Sequence, residues 1–179
     1  MKKISIVVLL SIFVSAGSFA QKGNNSIGGG GDLCFPTGEF GDLFKTGIGL
    51  YGKAMLGVGK AGHVTFTSGY STYKYRQNPE GVALSMNLIP LLIGYRHNFD
   101  GIFIEPQAGY MVIGAKMNSA EEGTMTDSGG LLSGALSIGY VFDKQVEISA
   151  RYQVAGKNGS NLNLFGLRLG YNFSLGRGK

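Results

Sequence analysis

The sequence predicts an all-β protein in which eight antiparallel strands, joined in chain order, close into an up-and-down barrel. Two observations predict this fold. Apolar and polar residues alternate with a period of two along most of the chain, and no segment after residue 20 keeps the 3.6-residue period of an amphipathic helix. Tight turns also alternate with longer connections rich in Gly, Asn, Asp, Glu and Ser, as in a series of hairpins.

Residues 1–20 have the layout of a secretory signal peptide, and residues 21–179 are expected to form one barrel domain. A short positive start precedes an apolar run from Ile4 to Ala16, and Ser18 and Ala20 are the small residues that precede the cut. The apolar run is shorter than the roughly 20 residues that a membrane-spanning helix needs, so cleavage is favoured over a membrane anchor.

Eight segments alternate strongly enough to be predicted as strands. Their approximate bounds are 25–36, 46–59, 63–76, 82–99, 102–117, 131–143, 146–156 and 162–174. The first is the weakest, because Gly28 to Gly31 interrupt a face marked only by Ile27, Leu33 and Phe35. In the fourth, the apolar phase slips at Ile89-Pro90, which predicts a bulge that contains the proline. The residues expected to face outward on either side of this slip are Val82, Leu84, Met86, Leu88, Leu91, Ile93 and Tyr95.

The turns agree with the assigned faces. Asp100-Gly101 is a strong two-residue hairpin signal, and a turn there pairs residues that were independently assigned outward. A three-residue turn at Lys60-Ala61-Gly62, with Gly62 left-handed, would pair Val58 with Val64, again both outward. Lys144-Gln145 is also predicted to be tight, whereas the connections near 37–45, 77–81, 118–130 and 157–161 are longer.

Inward-facing charges are expected to fill the barrel. The Asp100-Gly101 turn places Arg96 directly opposite Glu105, which predicts an ion pair, because a buried charge without a partner is costly. Four other inward charges are expected to join an interior polar network of the same kind: Lys53, Glu147, Arg151 and Arg168. We interpret this network as interior filling rather than as a reactive site, and an eight-stranded barrel filled in this way has no wide pore.

The apolar face is expected to meet lipid. Only 15% of the residues are charged, too few to cover the surface of a soluble barrel or sandwich. Aromatic residues cluster at the ends of the even-numbered strands, where they would form a ring at one membrane interface: Tyr95, Phe99, Tyr140, Phe142, Tyr171 and Phe173. A second, looser ring is expected near the longer loops: Phe35, Phe40, Phe44, Tyr73 and Tyr75. The alternative is that these aromatics form the core of a soluble sandwich.

A short glycine–tyrosine repeat supports the same plan. Gly94-Tyr95, Gly139-Tyr140 and Gly170-Tyr171 recur on three even-numbered strands. The tyrosine is expected to face outward, and the inward glycine leaves room for a long neighbouring side chain. Cys34 is the single cysteine, so it forms no internal disulfide, and it is expected to be a small inward side chain.

With these features the chain resembles the small outer-membrane β-barrels, the eight-stranded group that includes the OmpA transmembrane domain and OmpX, and in particular the short barrels common in Bacteroidetes. The residues that carry the resemblance are Phe35-Pro36-Thr37-Gly38-Glu39-Phe40, Ile93-Gly94-Tyr95-Arg96 and Leu167-Arg168-Leu169-Gly170-Tyr171-Asn172-Phe173, and the likeness extends over 21–179. The resemblance implies location in the bacterial outer membrane, outer-membrane lipid as a partner, and insertion by the barrel-assembly machinery. It also implies tight turns at the periplasmic side and long loops at the exterior, where they could make extracellular contacts.

No enzyme site is predicted. His63 and His97 both lie beside tight turns, away from the outer rim at which a lipid-modifying barrel would act, and neither has a serine at His-x-Ser spacing. No metal-ligand spacing, nucleotide loop or cofactor motif occurs, although Glu121, Glu122 and Asp127 could attract a cation in the longest loop. The formal charge falls from +5 to +3 when the two lysines of the signal peptide leave, which argues against nucleic-acid binding.

The leading functional hypothesis is a structural or surface-interaction role. Two alternatives remain open from the sequence. One is a narrow channel or transporter for small or hydrophobic solutes, and the other, which is disfavoured, is an enzyme that modifies outer-membrane lipid.

Overall fold

The computed structural model describes residues 25–77, 82–119, 123–157 and 160–175. The predicted signal peptide, residues 1–20, lies outside these ranges. Eight antiparallel strands follow one another around a closed barrel, and the first pairs with the last. Their bounds are β1 Ser26–Thr37, β2 Gly47–Val58, β3 Gly62–Lys74, β4 Val82–Phe99, β5 Ile102–Ser119, β6 Gly123–Phe142, β7 Val146–Lys157 and β8 Ser160–Ser174. The predicted fold class is therefore confirmed.

The outer surface of the barrel is apolar along every strand. On β6, β7 and β8, most of the apolar residues that alternate outward are 38–65% exposed, and they include Leu132, Leu136, Ile148, Leu167 and Leu169. The residues between them point inward and are mostly buried and polar or small. The barrel thus inverts the arrangement of a soluble protein, as expected for strands whose outer face meets lipid.

One short helix, α1 (Glu39–Leu43), follows β1, although no helix was predicted. Five residues are too few to display a 3.6-residue period, which explains why the sequence pattern did not reveal it. Among the described residues, no helix has the length and hydropathy needed to cross a membrane.

Strand β4 contains no bulge, so the predicted slip at Ile89-Pro90 is wrong. Its register with β5 is continuous, with Leu88 opposite Ile113 and Pro90 opposite Met111. Leu88 is fully buried and faces inward, whereas it was expected to face outward. The change of apolar phase marks the point where the barrel interior itself becomes apolar.

Two further boundaries differ from the sequence-based expectation. The hairpin between β5 and β6 is much longer than predicted, because strand pairing continues as far as Ser119 opposite Gly123 across most of the expected loop at 118–130. The turn between β2 and β3 spans residues 59–61, and the left-handed residue is Gly59 (φ 75°), so Val58 pairs with Gly62 rather than with Val64. A shift of this size leaves every side chain on its assigned face.

Candidate functional site

The most highly charged part of the barrel interior is a layer of four ionised side chains near the tight turns. Lys53 of β2 and Arg96 of β4 are each within hydrogen-bond or ion-pair distance of both Glu105 of β5 and Glu147 of β7. The N···O distances are 2.8 and 3.5 Å for Lys53, and 2.7 and 2.9 Å for Arg96. All four side chains are 3% exposed or less, so the charges balance within a dry section of the barrel. We call these four residues the ionic layer.

Neutral side chains complete the hydrogen bonding of the ionic layer. Glu105 accepts hydrogen bonds from Thr65 Oγ1 at 2.9 Å and from Gln107 Nε2 at 2.7 Å, in addition to its three charged contacts. The Arg96 guanidinium lies over the ring of Phe103, 3.6 Å from its centroid. Each ionised group therefore has several partners, and the four side chains meet across the interior of the barrel.

Arg168 belongs to a separate group further along the barrel. It forms two hydrogen bonds with Asp32 Oδ2 on the adjacent strand β1, at 2.7 and 2.8 Å, and its guanidinium lies 4.4 Å from the Tyr51 ring centroid. Arg151 is 3% exposed, yet neither its Nε nor its Nη2 has a hydrogen-bond partner in the described part of the chain. The six charges expected to form one network are thus divided into the ionic layer, the Arg168 pair and Arg151.

The long-loop end of the interior is apolar. Phe40 of α1 and Phe44 lie inside the barrel mouth, with their ring centroids 4.6 Å apart, and Phe40 stacks edge-on against Tyr73 at 5.5 Å. The buried members of this apolar cluster are Cys34, Phe40, Phe44, Tyr73, Leu88, Met111, Ala155, Leu162 and Leu164. The expected second aromatic ring at the membrane surface is therefore wrong for Phe40, Phe44 and Tyr73, because these residues close the barrel from within.

The tight-turn end contains an open vestibule of about 530 Å³. The residues that line it include Arg96, His63, Asn172, Lys60 and Lys144. Asn98 Nδ2 lies 3.2 Å from His63 Nδ1, so this histidine is part of the wall. His97 instead packs among outward aromatics, 4.5 Å from Phe99 between ring centroids.

The glycines of the glycine–tyrosine repeat make room for inward side chains, as predicted. A methyl group added at Gly139 would lie 2.7 Å from Phe103 and 2.6 Å from Ser149. One added at Gly94 would lie 2.7 Å from Gln107, and one at Gly170 would overlap Tyr51. Glycine is therefore required at these positions for close packing in a narrow barrel.

The six aromatics predicted to lie at a membrane interface face outward near the tight turns. Tyr140 and Phe142 have ring centroids 4.7 Å apart, as do Tyr171 and Phe173. The exposed fractions of the six lie between 38% and 58% for Tyr95, Phe99, Tyr140, Phe142, Tyr171 and Phe173. They form three outward groups, one each on β4, β6 and β8, at the same end of the barrel.

Several site residues were not identified from the sequence. Asp32 lies in the weak, glycine-rich first strand, although its alternation with Leu33 was a signal that it faces inward. Thr65, Gln107 and Asn172 are uncharged, so nothing marked them as members of a charged layer. The acidic loop residues Glu121 and Glu122 lie outside the described residues, and no metal-binding group of three His, Cys, Asp or Glu occurs within the described ranges.

Comparison with solved structures reveals the same architecture in small outer-membrane barrels. The Ail protein of Yersinia pestis, in complex with the heparin analogue sucrose octasulfate, has a TM-score of 0.68 at 15% identity over 85% of this chain and 99% of that chain. Neisserial surface protein A has a TM-score of 0.58 at 14% identity over 84% and 97%. The N-terminal barrel of Pseudomonas aeruginosa OprF has a TM-score of 0.57 at 14% identity over 85% and 100%.

No protein-family model matches the sequence, and neither does any curated protein sequence. The resemblance inferred from the sequence is nevertheless confirmed at the level of architecture. The chain has the fold of the small eight-stranded barrels of the bacterial outer membrane, together with the outward apolar surface that such a location requires.

Proposed function

We propose that the protein is a sealed outer-membrane barrel that has a structural or surface-interaction role, forms no wide pore and catalyses no reaction. The observation that carries this proposal is the ionic layer. Lys53, Arg96, Glu105 and Glu147 project from four strands and meet within 3.5 Å across the interior. A solute would have to separate these paired charges in order to pass, and breaking buried pairs is strongly unfavourable.

A second seal supports the same proposal. The rings of Phe40, Phe44 and Tyr73 pack together inside the opposite end of the barrel and are 8% exposed or less. The vestibule is therefore a closed-ended space rather than the start of a channel. The partners of the transmembrane part are outer-membrane lipid along the apolar face and the barrel-assembly machinery during insertion.

Conductance across a planar bilayer tests the sealed barrel directly. The purified wild-type protein is expected to give no resolvable channel events, whereas a porin reconstituted in the same way gives steps. The variant Phe40→Ala, which opens only the long-loop seal, is expected to remain silent because the ionic layer is intact. Frequent steps from the wild-type protein would contradict the proposal and favour the channel alternative.

The long-loop rim carries the surface on which an external ligand would bind. Lys45, Lys74 and Arg76 are exposed there on neighbouring segments, joined by a hydrogen bond of 2.9 Å from Lys45 N to Lys74 O. Arg76 Nε also donates to Gly41 O at 2.9 Å, which holds the guanidinium against the α1 loop. The α1 segment also carries the exposed acids Glu39 and Asp42, so the three cations leave an excess of one positive charge on this side of the rim. That excess favours an anionic glycan, the ligand class present in the Ail complex.

Retention on a heparin column tests this surface. The double variant Lys45→Gln/Lys74→Gln is expected to elute at a lower salt concentration than the wild-type protein. The matched control is Lys60→Gln/Lys144→Gln, which removes the same charge from the opposite rim and is expected to elute earlier by a clearly smaller margin. Equal shifts for the two double variants would show that retention reflects net charge alone and would refute the glycan surface.

A further inference from the structure

Among the inward charged side chains whose burial the structure describes, the positive charges outnumber the negative ones. These side chains number seven: Lys53, Arg96, Arg151, Arg168, Asp32, Glu105 and Glu147. The ionic layer is neutral, and Arg168 is neutralised by Asp32. The excess positive charge therefore resides on Arg151, which is buried beneath the apolar cluster.

Arg151 lines a small cavity of about 20 Å³. Four buried polar side-chain atoms without a hydrogen-bond partner in the described part of the chain belong to three residues that line this cavity. They are Asp32 Oδ1, Tyr73 OH, and the Nε and Nη2 atoms of Arg151. Tyr73 is fully buried and Arg151 is 3% exposed, so neither can reach bulk water. Buried polar groups in native proteins almost always have a partner, which indicates that the cavity has an occupant.

The size and lining of the cavity restrict that occupant. A volume of about 20 Å³ accommodates one particle of roughly the size of a water molecule, and not a phosphate, a sulfate or an organic acid. The guanidinium offers two N–H donors and the tyrosine one O–H donor. Asp32 also faces the cavity, but two hydrogen bonds from Arg168 to its other oxygen compensate its charge.

We propose that this cavity binds a single small monovalent anion, chloride in the natural setting, held by Arg151 Nε and Nη2 and by Tyr73 OH. One negative charge at this position compensates Arg151, the only one of these seven charged side chains that has no ion-pair partner. It also satisfies donors that would otherwise remain unpaired in a low-dielectric environment, where an unpartnered charge is strongly unfavourable. A water molecule is the competing occupant, since it would satisfy the hydrogen bonds but leave the charge uncompensated.

The first test compares the unfolding of the folded protein in chloride and in gluconate. Both are monovalent, but gluconate is too large for the cavity, so the ionic strength can be held constant while the chloride concentration changes. With one site on the folded state, the folding equilibrium constant is expected to rise towards tenfold for each tenfold increase in chloride above its Kd. Identical unfolding curves in the two salts would overturn the proposal.

The matched variants are Arg151→Gln and Lys144→Gln. Each removes one positive charge, but only the first removes it from the cavity. The chloride dependence is expected to disappear in Arg151→Gln and to persist in Lys144→Gln, and a dependence that survives in Arg151→Gln would refute the assigned site.

Anomalous scattering from wild-type crystals grown in sodium bromide gives a second measurement that does not depend on whether Arg151→Gln folds. A bromide peak is expected within about 3.5 Å of Arg151 Nε and Nη2, at the limit of hydrogen-bond distance. Ordinary water density without an anomalous peak would mean that the cavity holds water and would overturn the proposal.

Discussion

Replacing Glu105 by glutamine should destabilise the barrel more than almost any other single conservative substitution. Its Oε2 atom accepts charged hydrogen bonds from Lys53 Nζ at 2.8 Å and from Arg96 Nε and Nη2 at 2.9 and 2.7 Å. Glu105→Gln keeps the size of the side chain but leaves the ionic layer with one uncompensated positive charge. The remaining anion, Glu147, would then have to balance both cations from a fully buried position.

The expected loss in the free energy of unfolding is about 3–5 kcal/mol, the range found when one partner of a buried ion pair is removed. The double variant Lys53→Met/Glu105→Gln removes the opposite charge as well, while Arg96 keeps its contact with Glu147 at 2.9 Å. Because the double variant removes both partners and leaves no uncompensated buried charge, it should lose only about 0–2 kcal/mol. The second substitution should thus restore stability that the first removed.

Urea titration in detergent micelles, read by the mobility of unboiled samples on a gel, measures these free energies without an intrinsic tryptophan, which the chain lacks. For both variants and the wild-type protein, the titration would start once from folded and once from unfolded samples. Agreement of the two curves shows that equilibrium has been reached. The reasoning would be refuted by a Glu105→Gln variant within about 1 kcal/mol of the wild type, or by a double variant less stable than the single one.

Three other predictions concern packing, closure and the lipid face. Gly139→Ala should cost about 1–3 kcal/mol by overpacking, whereas the control Gly52→Ala, where an added methyl group meets no atom within 4 Å, should be nearly neutral by the same titration. Phe40→Ala should lower the free energy of unfolding by at most about 3–5 kcal/mol, because the ring lies at the barrel mouth. It should also speed proteolysis of the loop after β1, and an unchanged cleavage rate would contradict the role of Phe40 in closure. Leu136→Lys on the outward face should cost about 2–4 kcal/mol in bilayers, and Phe142→Lys near the turn only about 0–1 kcal/mol; equal losses would mean that the face does not meet lipid.

The outward face and the register of the β4–β5 hairpin were predictable because both depend on local sequence. Alternation with a period of two assigns each side chain to a face, and a turn such as Asp100-Gly101 then determines which residues are opposite. Asp100 and Gly101 both have positive φ, 51° and 96°, as such a two-residue turn requires. The position of Arg96 opposite Glu105 follows directly from that turn.

The composition of the interior was less predictable. Alternation separates the two faces of a strand but does not say which apolar residues meet lipid and which meet other apolar residues inside. Met86 and Leu88 were assigned outward for this reason, yet Leu88 is fully buried and Met86 packs against the apolar cluster. In the local sequence, a bulge and a change from a polar to an apolar barrel interior produce the same shift of the apolar phase.

Partner choice among the interior charges also depends on the closed barrel. Arg168 meets Asp32 through the pairing of β1 with β8, a contact between residues 136 positions apart. Lys53 meets Glu147 across the lumen, at 94 positions apart. Such contacts depend on the stagger of all eight strands, which no single hairpin reveals.

The distribution of the ionic layer over β2, β4, β5 and β7 has a consequence for assembly. A sheet that has not yet curled carries these charges on separate strands, where only the Arg96–Glu105 pair is already opposite, and Lys53 and Glu147 have no nearby counter-charge. A partly formed barrel would therefore have to keep Lys53 and Glu147 away from hydrocarbon. The ion pairs of all four residues can form only in the closed barrel, so they stabilise that state alone. This makes closure an all-or-none step and disfavours open intermediates in the bilayer.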